Sequence, residues 1–315
     1  MELHPETGLH YTHFVPSWPA YADADRTLRA LAARTPWVTV EPLNAWAPVR
    51  DGGAFQNPQR MLIAWGGVSH DEPGPRVDRR CIIALQYSET VGDLDKLHGD
   101  QRGVLERLLM RAQKYDVILT HTPSEAQWLR AHIPGVRAHE VPLGYSPEAV
   151  GRPDFAQAKK FDIAYYGARM GRRQGLLTAL QPHLRHKYDD VGGLFGLDRQ
   201  AKLNEARAIL QVHHCHPSCS FPSFRLWHAM ATSAALLMEP ADAWPAVSGR
   251  HYFEYPEFTP ETADVAARAI DAILDRDDVI ETARRAHDEL STYTPDYCHE
   301  KFMVPLSAEL KRRSA

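Results

Sequence analysis

The stretch "YDVILTHTPSE" (115–125) decides the fold class. Its first half is a run of apolar and β-branched residues that predicts a buried strand. Its second half predicts the start of a helix, with Thr122 as the N-cap, Pro123 in the first turn and Glu125 closing a capping box. A strand followed at once by a capped helix is typical of α/β proteins.

The same alternation of strand and helix runs along the rest of the chain. Strands are predicted at 9–15, 37–43, 60–66, 81–87, 115–121, 138–144, 161–167, 190–196, 209–214, 234–240 and 251–255. Helices are predicted at 99–114 and near 172–181, 199–208, 222–233, 260–275, 277–292 and 298–312. Strands that alternate with helices form mainly parallel sheets joined by right-handed crossovers.

The alternation breaks once, at the polar, proline-containing segment 144–160, which we interpret as a domain boundary. We therefore predict an α/β protein with two tandem Rossmann-like domains facing a cleft, at 1–150 and 151–297, and a terminal helix at 298–315. Ligands of open parallel sheets bind beyond the carboxyl ends of the strands, so we expect the site in that cleft.

Composition limits the class of protein without naming a partner. The 315 residues carry a formal net charge of -4, which argues against a globally basic nucleic-acid binder. Four cysteines in a chain of this length do not make a disulfide framework. The sequence contains neither a long apolar run nor a recognisable signal peptide, so we predict no membrane span and a cytoplasmic location.

Several familiar nucleotide and hydrolase motifs are missing from the sequence. The Gly-Gly of "WGGVSH" (65–70) lacks the G-x-G-x-x-G spacing, which disfavours a nicotinamide enzyme. Neither the G-x-x-x-x-G-K-[ST] phosphate loop nor a G-x-S-x-G nucleophile elbow occurs. These absences exclude phosphate-loop NTPases and α/β-hydrolases.

The segment "VHHCHPSCSFPSFRLWHAM" (212–230) supports two interpretations. A zinc site would draw on His213, His214, Cys215, His216 and Cys219, which are residue types that bind zinc. Neighbouring residues at a strand end point to opposite faces, however, and the segment has no C-x-x-C pair. We therefore predict no metal.

The second interpretation is an anion site beyond a strand end. A helix that starts near Pro222 would direct free backbone N–H groups at a phosphate. Arg225 and His228 are three residues apart and share a helical face, where they could hold a diphosphate and a ribose hydroxyl. His214 and Ser223 flank the same loop and join the candidates. The alternative is a surface arginine and an interior imidazole.

A family resemblance favours the second interpretation. The run "LNEARAILQVHHCHPSCSFPSFRLWHAMATSAALLMEP" (203–240) resembles the C-terminal domain of GT-B glycosyltransferases of the glycosyltransferase group 1 type, especially the CgeB-like branch, and "FDIAYYGARMGRRQGLLTAL" (161–180) resembles the opening strand and basic loop of that domain. The resemblance implies that 151–297 binds a nucleotide sugar, that 1–150 binds the acceptor and that 298–315 packs back on the N-terminal domain. Many members carry two glutamates where this sequence has Ser220 and His228.

Other candidate donor-binding residues follow predicted strands of the second domain. Arg169, Arg172 and Arg173 suit a diphosphate because guanidinium groups bind its oxygens bidentately, although they could instead be a solvated helix start. Phe195 could stack on a nucleobase or belong to the core. Asn204 resembles a family position near the nucleotide, or it is a cap or surface residue.

Candidate catalytic residues follow strands of the first domain. His70, Asp71 and Glu89 could each remove the proton of an acceptor hydroxyl, and the alternative for each is a solvated loop residue.

The resulting hypothesis is a metal-independent glycosyltransferase that needs no cofactor besides a UDP- or GDP-linked sugar donor. The acceptor could be a glycan, a small molecule, a protein or modified DNA, and the oligomeric state is open. One alternative is a non-catalytic nucleotide-sugar-binding protein or partner subunit. Another is a phage-type glycosyltransferase that acts on modified DNA bases.

Overall fold

The computed structural model describes residues 1–17, 21–45, 56–65, 80–87, 91, 97, 100–169, 171–213 and 224–314. The chain divides into two compact units. The first unit comprises the described parts of Met1–Leu94, Asp100–Glu148 and Tyr293–Ala315, and the second comprises those of Asp95–Gly99 and Ala149–Thr292.

The first unit contains a parallel sheet in the order β2-β1-β3-β4-β5-β6. Its described strands are β1 (His10–Val15), β2 (Val38–Pro42), β3 (Arg60–Trp65), β4 (Ile82–Gln86), β5 (Val117–Thr120) and β6 (Ala138–Glu140). Its helices before the boundary are α1 (Ala22–Arg34), α2 (Asp100–Arg111) and α3 (Pro123–His132), and the short helix α4 (Pro147–Val150) spans the boundary between the units. The central strands β3, β4 and β5 are mainly apolar because both faces of a parallel sheet are covered, whereas β1 also buries His10, Thr12 and His13.

The second unit contains a parallel sheet in the order β11-β10-β9-β7-β8. Its strands are β7 (Phe161–Tyr165), β8 (Tyr188–Asp190), β9 (Ala206–Gln211), β10 (Ala235–Met238) and β11 (Phe253–Glu254). Its helices are α5 (Arg172–Leu180), α6 (Gly196–Asn204), α7 (Phe224–Met230), α8 (Ala263–Leu274) and α9 (Val279–Leu290). Leucine and alanine side chains of α5 and α8 pack with β7, β9 and β10 in one apolar core.

The C-terminal segment belongs to the first unit by its contacts. It consists of α10 (Pro295–Cys298), a π-helical turn (His299–Met303) and α11 (Val304–Ser314). The Tyr11 and Ser307 hydroxyl groups are 2.7 Å apart, and Lys311 Nζ donates to the Thr7 carbonyl oxygen at 2.8 Å. These hydrogen bonds attach the segment to β1 and to the residues before it.

The capping box predicted at Thr122 and Glu125 is confirmed. The Thr122 hydroxyl accepts from the Glu125 N–H at 3.3 Å, and the Glu125 carboxylate accepts from the Thr122 N–H at 3.1 Å. The strand predicted at 190–196 is wrong, because the strand ends at Asp190 and Gly196 begins α6. The helix predicted at 199–208 is also wrong at its end, because β9 begins at Ala206.

Among the described residues, no helix is both long and apolar enough to cross a membrane.

Candidate functional site

Polar side chains gather at one edge of the sheet in the second unit. Strands β10, β9 and β7 are neighbours and run parallel, so their carboxyl ends meet at the same edge. Tyr166 and Gly167 follow β7, Val212 and His213 follow β9, and Glu239 follows β10. This edge is where open parallel sheets bind their ligands.

Arg172, in the first turn of α5, forms an ion pair with Glu239. Its two terminal nitrogens donate to the two carboxylate oxygens at 2.8 and 2.5 Å, and the carboxylate also accepts from the His213 backbone N–H at 2.7 Å. Burial lowers the pKa of Arg172, but the hydrogen bonds and charge of Glu239 outweigh it and raise that pKa overall. The Arg172 charge is therefore neutralised within the protein.

Glu239 also fixes the end of β9. Its carboxylate is fully buried, and its carbonyl oxygen accepts from His213 Nε2 at 3.0 Å. Burial, ahead of the opposing effect of Glu239, lowers the pKa of His213, so the imidazole is neutral near pH 7. Arg173 supports the same strand end, because its Nε donates to the Val212 carbonyl oxygen at 2.9 Å.

Arg225, in the first turn of α7, lies beside the end of β7. Its Nη1 donates to the Tyr166 carbonyl oxygen at 2.8 Å and to Gln211 Oε1, and its guanidinium carbon is 5.0 Å from the centre of the Tyr166 ring. Gly167 has a φ of 128°, and a Cβ there would overlap the guanidinium. Among the described residues, no carboxylate forms an ion pair with Arg225, so its charge is available to a ligand.

The contacts of the His228 ring do not support the prediction that it binds a ribose hydroxyl. Its Nε2 accepts from Arg199 Nη2 at 3.0 Å, because a guanidinium can only donate. The proton of this neutral ring is then on Nδ1, which donates to the Tyr166 hydroxyl at 3.3 Å. Both ring nitrogens are therefore engaged within the protein, and the interior-imidazole alternative describes His228 better.

Two more predicted donor-binding residues lie near the edge strand β8. Arg169 forms an ion pair with Asp190 and donates to the Tyr188 hydroxyl at 3.3 Å. Phe195 immediately precedes α6 and is 49% exposed, which excludes the core alternative for this side chain. The ring is accessible to a ligand, whereas the Arg169 charge is compensated.

Asn204 does not join this group. It ends α6, two residues before the amino end of β9, whereas Arg172 and Arg173 contact the residues beyond the carboxyl end of β9. Its Oδ1 accepts from the Ser233 N–H at 2.8 Å and from the Asp154 N–H at 3.3 Å. We therefore correct the expectation that Asn204 lies near a nucleotide and assign it a structural role.

The remaining predicted positions lie outside the described residues: His70, Asp71, Glu89, His214, Cys215, His216, Cys219, Ser220 and Ser223. In the part of the chain that the structure describes, no group of three or more His, Cys, Asp or Glu side chains is arranged to hold a metal ion.

Sequence reasoning missed Glu239, Gln211 and Arg199. Glu239 is the penultimate residue of the predicted strand 234–240, and a carboxylate near the end of an apolar strand was the available signal. The partners of Gln211 and Arg199 are 14 and 29 residues away, and no local pattern marks these pairs.

These two parallel-sheet α/β units define the GT-B class of fold, as the sequence resemblance implied. Among solved structures, the chain is similar to sucrose-phosphate synthase from Thermosynechococcus elongatus, with a TM-score of 0.67, 11% identity and coverage of 96% of this chain and 99% of that one. Anabaena HepE in complex with UDP and glucose has a TM-score of 0.60, 11% identity and coverage of 95% and 100%. The pneumococcal O-GlcNAc transferase GtfA, in complex with UDP and GlcNAc, has a TM-score of 0.60 and 10% identity; 86% of this chain matches, and it spans 60% of that chain.

No protein-family model matches the sequence, and a comparison with curated proteins finds no similar sequence. The structural likeness therefore establishes the fold.

Proposed function

We propose that this protein is a glycosyltransferase whose second unit binds the diphosphate of a nucleotide-sugar donor at the carboxyl edge of its sheet. Arg225 carries the proposal. Two acceptors on Nη1 fix its guanidinium beside Gly167, and no described carboxylate neutralises it. A fixed, uncompensated guanidinium provides the paired N–H donors that phosphate oxygens accept.

We propose different roles for the three arginines at this edge. Arg172 is held by Glu239 and Arg173 by the Val212 carbonyl oxygen, so these two residues shape the edge. Arg225 retains Nη2, which is not used in either of its hydrogen bonds to described residues. We propose that this group stabilises the negative charge that develops on the departing diphosphate.

The reaction we propose is displacement at the anomeric carbon. The acceptor hydroxyl oxygen forms the new bond, the bond from that carbon to the diphosphate oxygen breaks, and a base takes the hydroxyl proton. His70, Asp71 and Glu89 remain the candidate bases from the sequence, and the first unit is the proposed acceptor-binding unit. Arginine supplies the positive charge for the leaving group, so we expect activity in the presence of a metal chelator.

We propose a UDP-linked sugar as the donor. Two of the similar structures, Anabaena HepE and pneumococcal GtfA, are complexes with UDP. A GDP-linked donor and membership of the CgeB-like branch stay open alternatives from the sequence. The proposed location is the cytoplasm, where nucleotide sugars would be available to this protein.

The test is incubation with UDP-, GDP-, ADP- and dTDP-linked sugars, with and without a chelator. Mass spectrometry then follows release of the nucleoside diphosphate and transfer to a panel of glycan, small-molecule and protein acceptors. Release or transfer from one donor supports the enzyme. Failure of all four donors to bind would contradict the proposal.

A second candidate function is a non-catalytic nucleotide-sugar-binding protein. The observation that favours it is His228, a neutral, internally bonded imidazole where the resembling family carries an acidic residue. Donor binding without release of the diphosphate, for every acceptor in the panel, would select this candidate over the enzyme.

A further inference from the structure

The first unit contains a small cavity between its sheet and the C-terminal segment. The cavity has a volume of about 30 Å³. The side chains of Leu28, Leu31 and Met303 provide part of an apolar wall, and three polar side chains also line the space: His13 on β1, Gln86 at the end of β4 and His299 in the π-helical turn.

The polar side chains have unused hydrogen-bonding atoms. No described residue lies within hydrogen-bond distance of His13 Nε2, Gln86 Nε2 or either ring nitrogen of His299. The residues are 3%, 2% and 5% exposed, respectively. Buried polar atoms nearly always have a partner, because leaving one unsatisfied costs about 1–3 kcal/mol. Four such atoms beside one cavity indicate that the cavity has an occupant.

The chemistry of these atoms restricts the occupant. His13 Nδ1 accepts from the Trp65 indole N–H at 3.0 Å, so the His13 proton is on Nε2. Gln86 Nε2 has two N–H groups, and a neutral His299 ring has one N–H and one acceptor nitrogen. Burial lowers the pKa of His13 to about 3 and that of His299 to about 4, so both rings are neutral near pH 7. The lining is therefore rich in donors and uncharged.

An anion does not suit this lining. No lysine or arginine is among the described residues that line the cavity, and an ion without a counter-charge is costly to bury. A neutral oxygen atom accepts from these donors without that cost. A water molecule needs roughly 10–15 Å³ of such volume and two to four polar partners, so about 30 Å³ accommodates two.

We propose that this cavity is a binding site for two water molecules that bridge β1, β4 and the π-helical turn. The waters accept from His13 and Gln86 and hydrogen-bond with His299. They join the C-terminal segment to the sheet at a place where the protein provides no direct polar contact among its described residues. The proposal is independent of the proposed glycosyltransferase function.

The direct test is a crystal structure that shows ordered water, from crystals grown and cooled without polyols. We expect two water molecules within about 3 Å of His13 Nε2, Gln86 Nε2 and a His299 ring nitrogen. An empty cavity, direct hydrogen bonds from protein groups to these nitrogens, or a copurified organic molecule in the space would overturn the proposal.

A double-mutant cycle provides a second test that does not need crystals. Gln86→Met and His299→Leu each leave the shared water network short of a partner, so the second substitution costs less once the first is made. If the two effects were independent, they would simply add. We expect instead that the folding equilibrium constant of the double variant is about fivefold larger than that sum predicts, which is within the range of interaction energies for residues that share a hydrogen-bond network. The control pair is Gln86→Met with His132→Leu, because His132 is exposed on α3 and bonds to the Trp128 carbonyl oxygen.

Additive effects in the first pair would contradict a shared water network. If the variants do not fold, the crystal structure of the unchanged protein still decides the question.

Discussion

The two units bury polar side chains beside their sheets in different ways. In the first unit, His13, His121 and His299 are buried and neutral, and burial is the leading cause of their lowered pKa values. At the edge of the second sheet, the buried Glu239 carboxylate forms a hydrogen-bonded ion pair with the partly buried Arg172.

The two kinds of buried polar group need different partners. Neutral rings need a few hydrogen bonds, which small solvent molecules supply, whereas a buried charge needs an opposite charge nearby. Arg225 differs from Arg172, because no described carboxylate pairs with it. We expect a ligand to provide the negative charge beside Arg225.

Acidification should have the largest effect and should separate the units. The pKa is about 3 for His13 and about 4 for His121 and His299, below the ordinary 6.5, so the unfolded chain takes up protons first. Stability is fully present above pH 6.5 and is lost as the pH falls from 6.5 towards 4. Between pH 6.5 and pH 5 we expect the first unit to lose on the order of 6 kcal/mol, counting about 1.4 kcal/mol per pH unit for each of these three histidines.

Hydrogen exchange measured by mass spectrometry checks this prediction peptide by peptide, after correction for the intrinsic rate. Peptides of β1 should lose protection at pH 5, and peptides of β9 should lose less, because His213 is one histidine with a shift in the same direction. His299→Phe should remove only part of the effect, because burial also lowers the pKa of His10 and His139 in the first unit. Equal protection of β1 at both pH values would contradict the comparison.

Removal of a buried charge in the second unit should have the next largest effect. Glu239→Ala leaves Arg172, which is 16% exposed, with only the longer ion pair to the Glu257 carboxylate at 3.6 Å. We expect the free energy of unfolding to fall by about 3–5 kcal/mol, as for one partner of a buried ion pair. Urea denaturation followed by circular dichroism measures the change. Asp264→Ala, which breaks an exposed pair with Arg268, is the control and should have no measurable effect; an equal effect of both variants would contradict the account.

Loss of the Arg225 guanidinium should weaken donor binding and leave folding intact. Arg225→Gln removes a charged donor, so we expect the affinity for UDP to fall about 10- to 100-fold, the equivalent of about 1.5–3 kcal/mol. Isothermal titration calorimetry measures the affinity. Arg268→Gln is the matched control on α8, where the side chain is exposed and pairs with Asp264. If the affinity of Arg225→Gln for UDP is unchanged, Arg225 does not bind the diphosphate.

The smallest effect concerns a local, uncharged group of the first unit. Thr122→Ala removes the N-cap of α3 and should cost about 1 kcal/mol at pH 7. Thermal unfolding measures it. The loss of stability from a single cap can then be compared with the loss from protonation of the buried histidines. A loss in Thr122→Ala as large as that on acidification would show that the histidines do not dominate the stability of the first unit.

The sequence predicted the fold well where the local pattern and the tertiary environment agree. Strands with continuous apolar runs, such as β3 and β5, were located within two residues because they lie inside a parallel sheet. The prediction failed at β8, an edge strand whose residues "YDD" are partly exposed and carry no apolar run. It also failed at the start of β9, where pairing with β7 overrides the helix propensity of "NEARA".

The candidate site could be predicted in part. A basic loop after β7 and an arginine on α7 were visible in the sequence, because strand ends and helix starts are local features. The neutralisation of Arg172 was not visible, because its partner Glu239 is 67 residues away and reaches it through the order of the strands. Sequence patterns show which residue types lie at the carboxyl edge of a sheet. The order of the strands determines which of these residues are close enough to form ion pairs.

We expect the carboxyl edge of the second sheet to bind a nucleoside diphosphate at Arg225. A crystal structure of the protein with UDP tests it most directly. We expect a diphosphate oxygen within about 3 Å of a guanidinium nitrogen of Arg225. A diphosphate bound away from Arg225, or no bound UDP at millimolar concentration, would contradict the account.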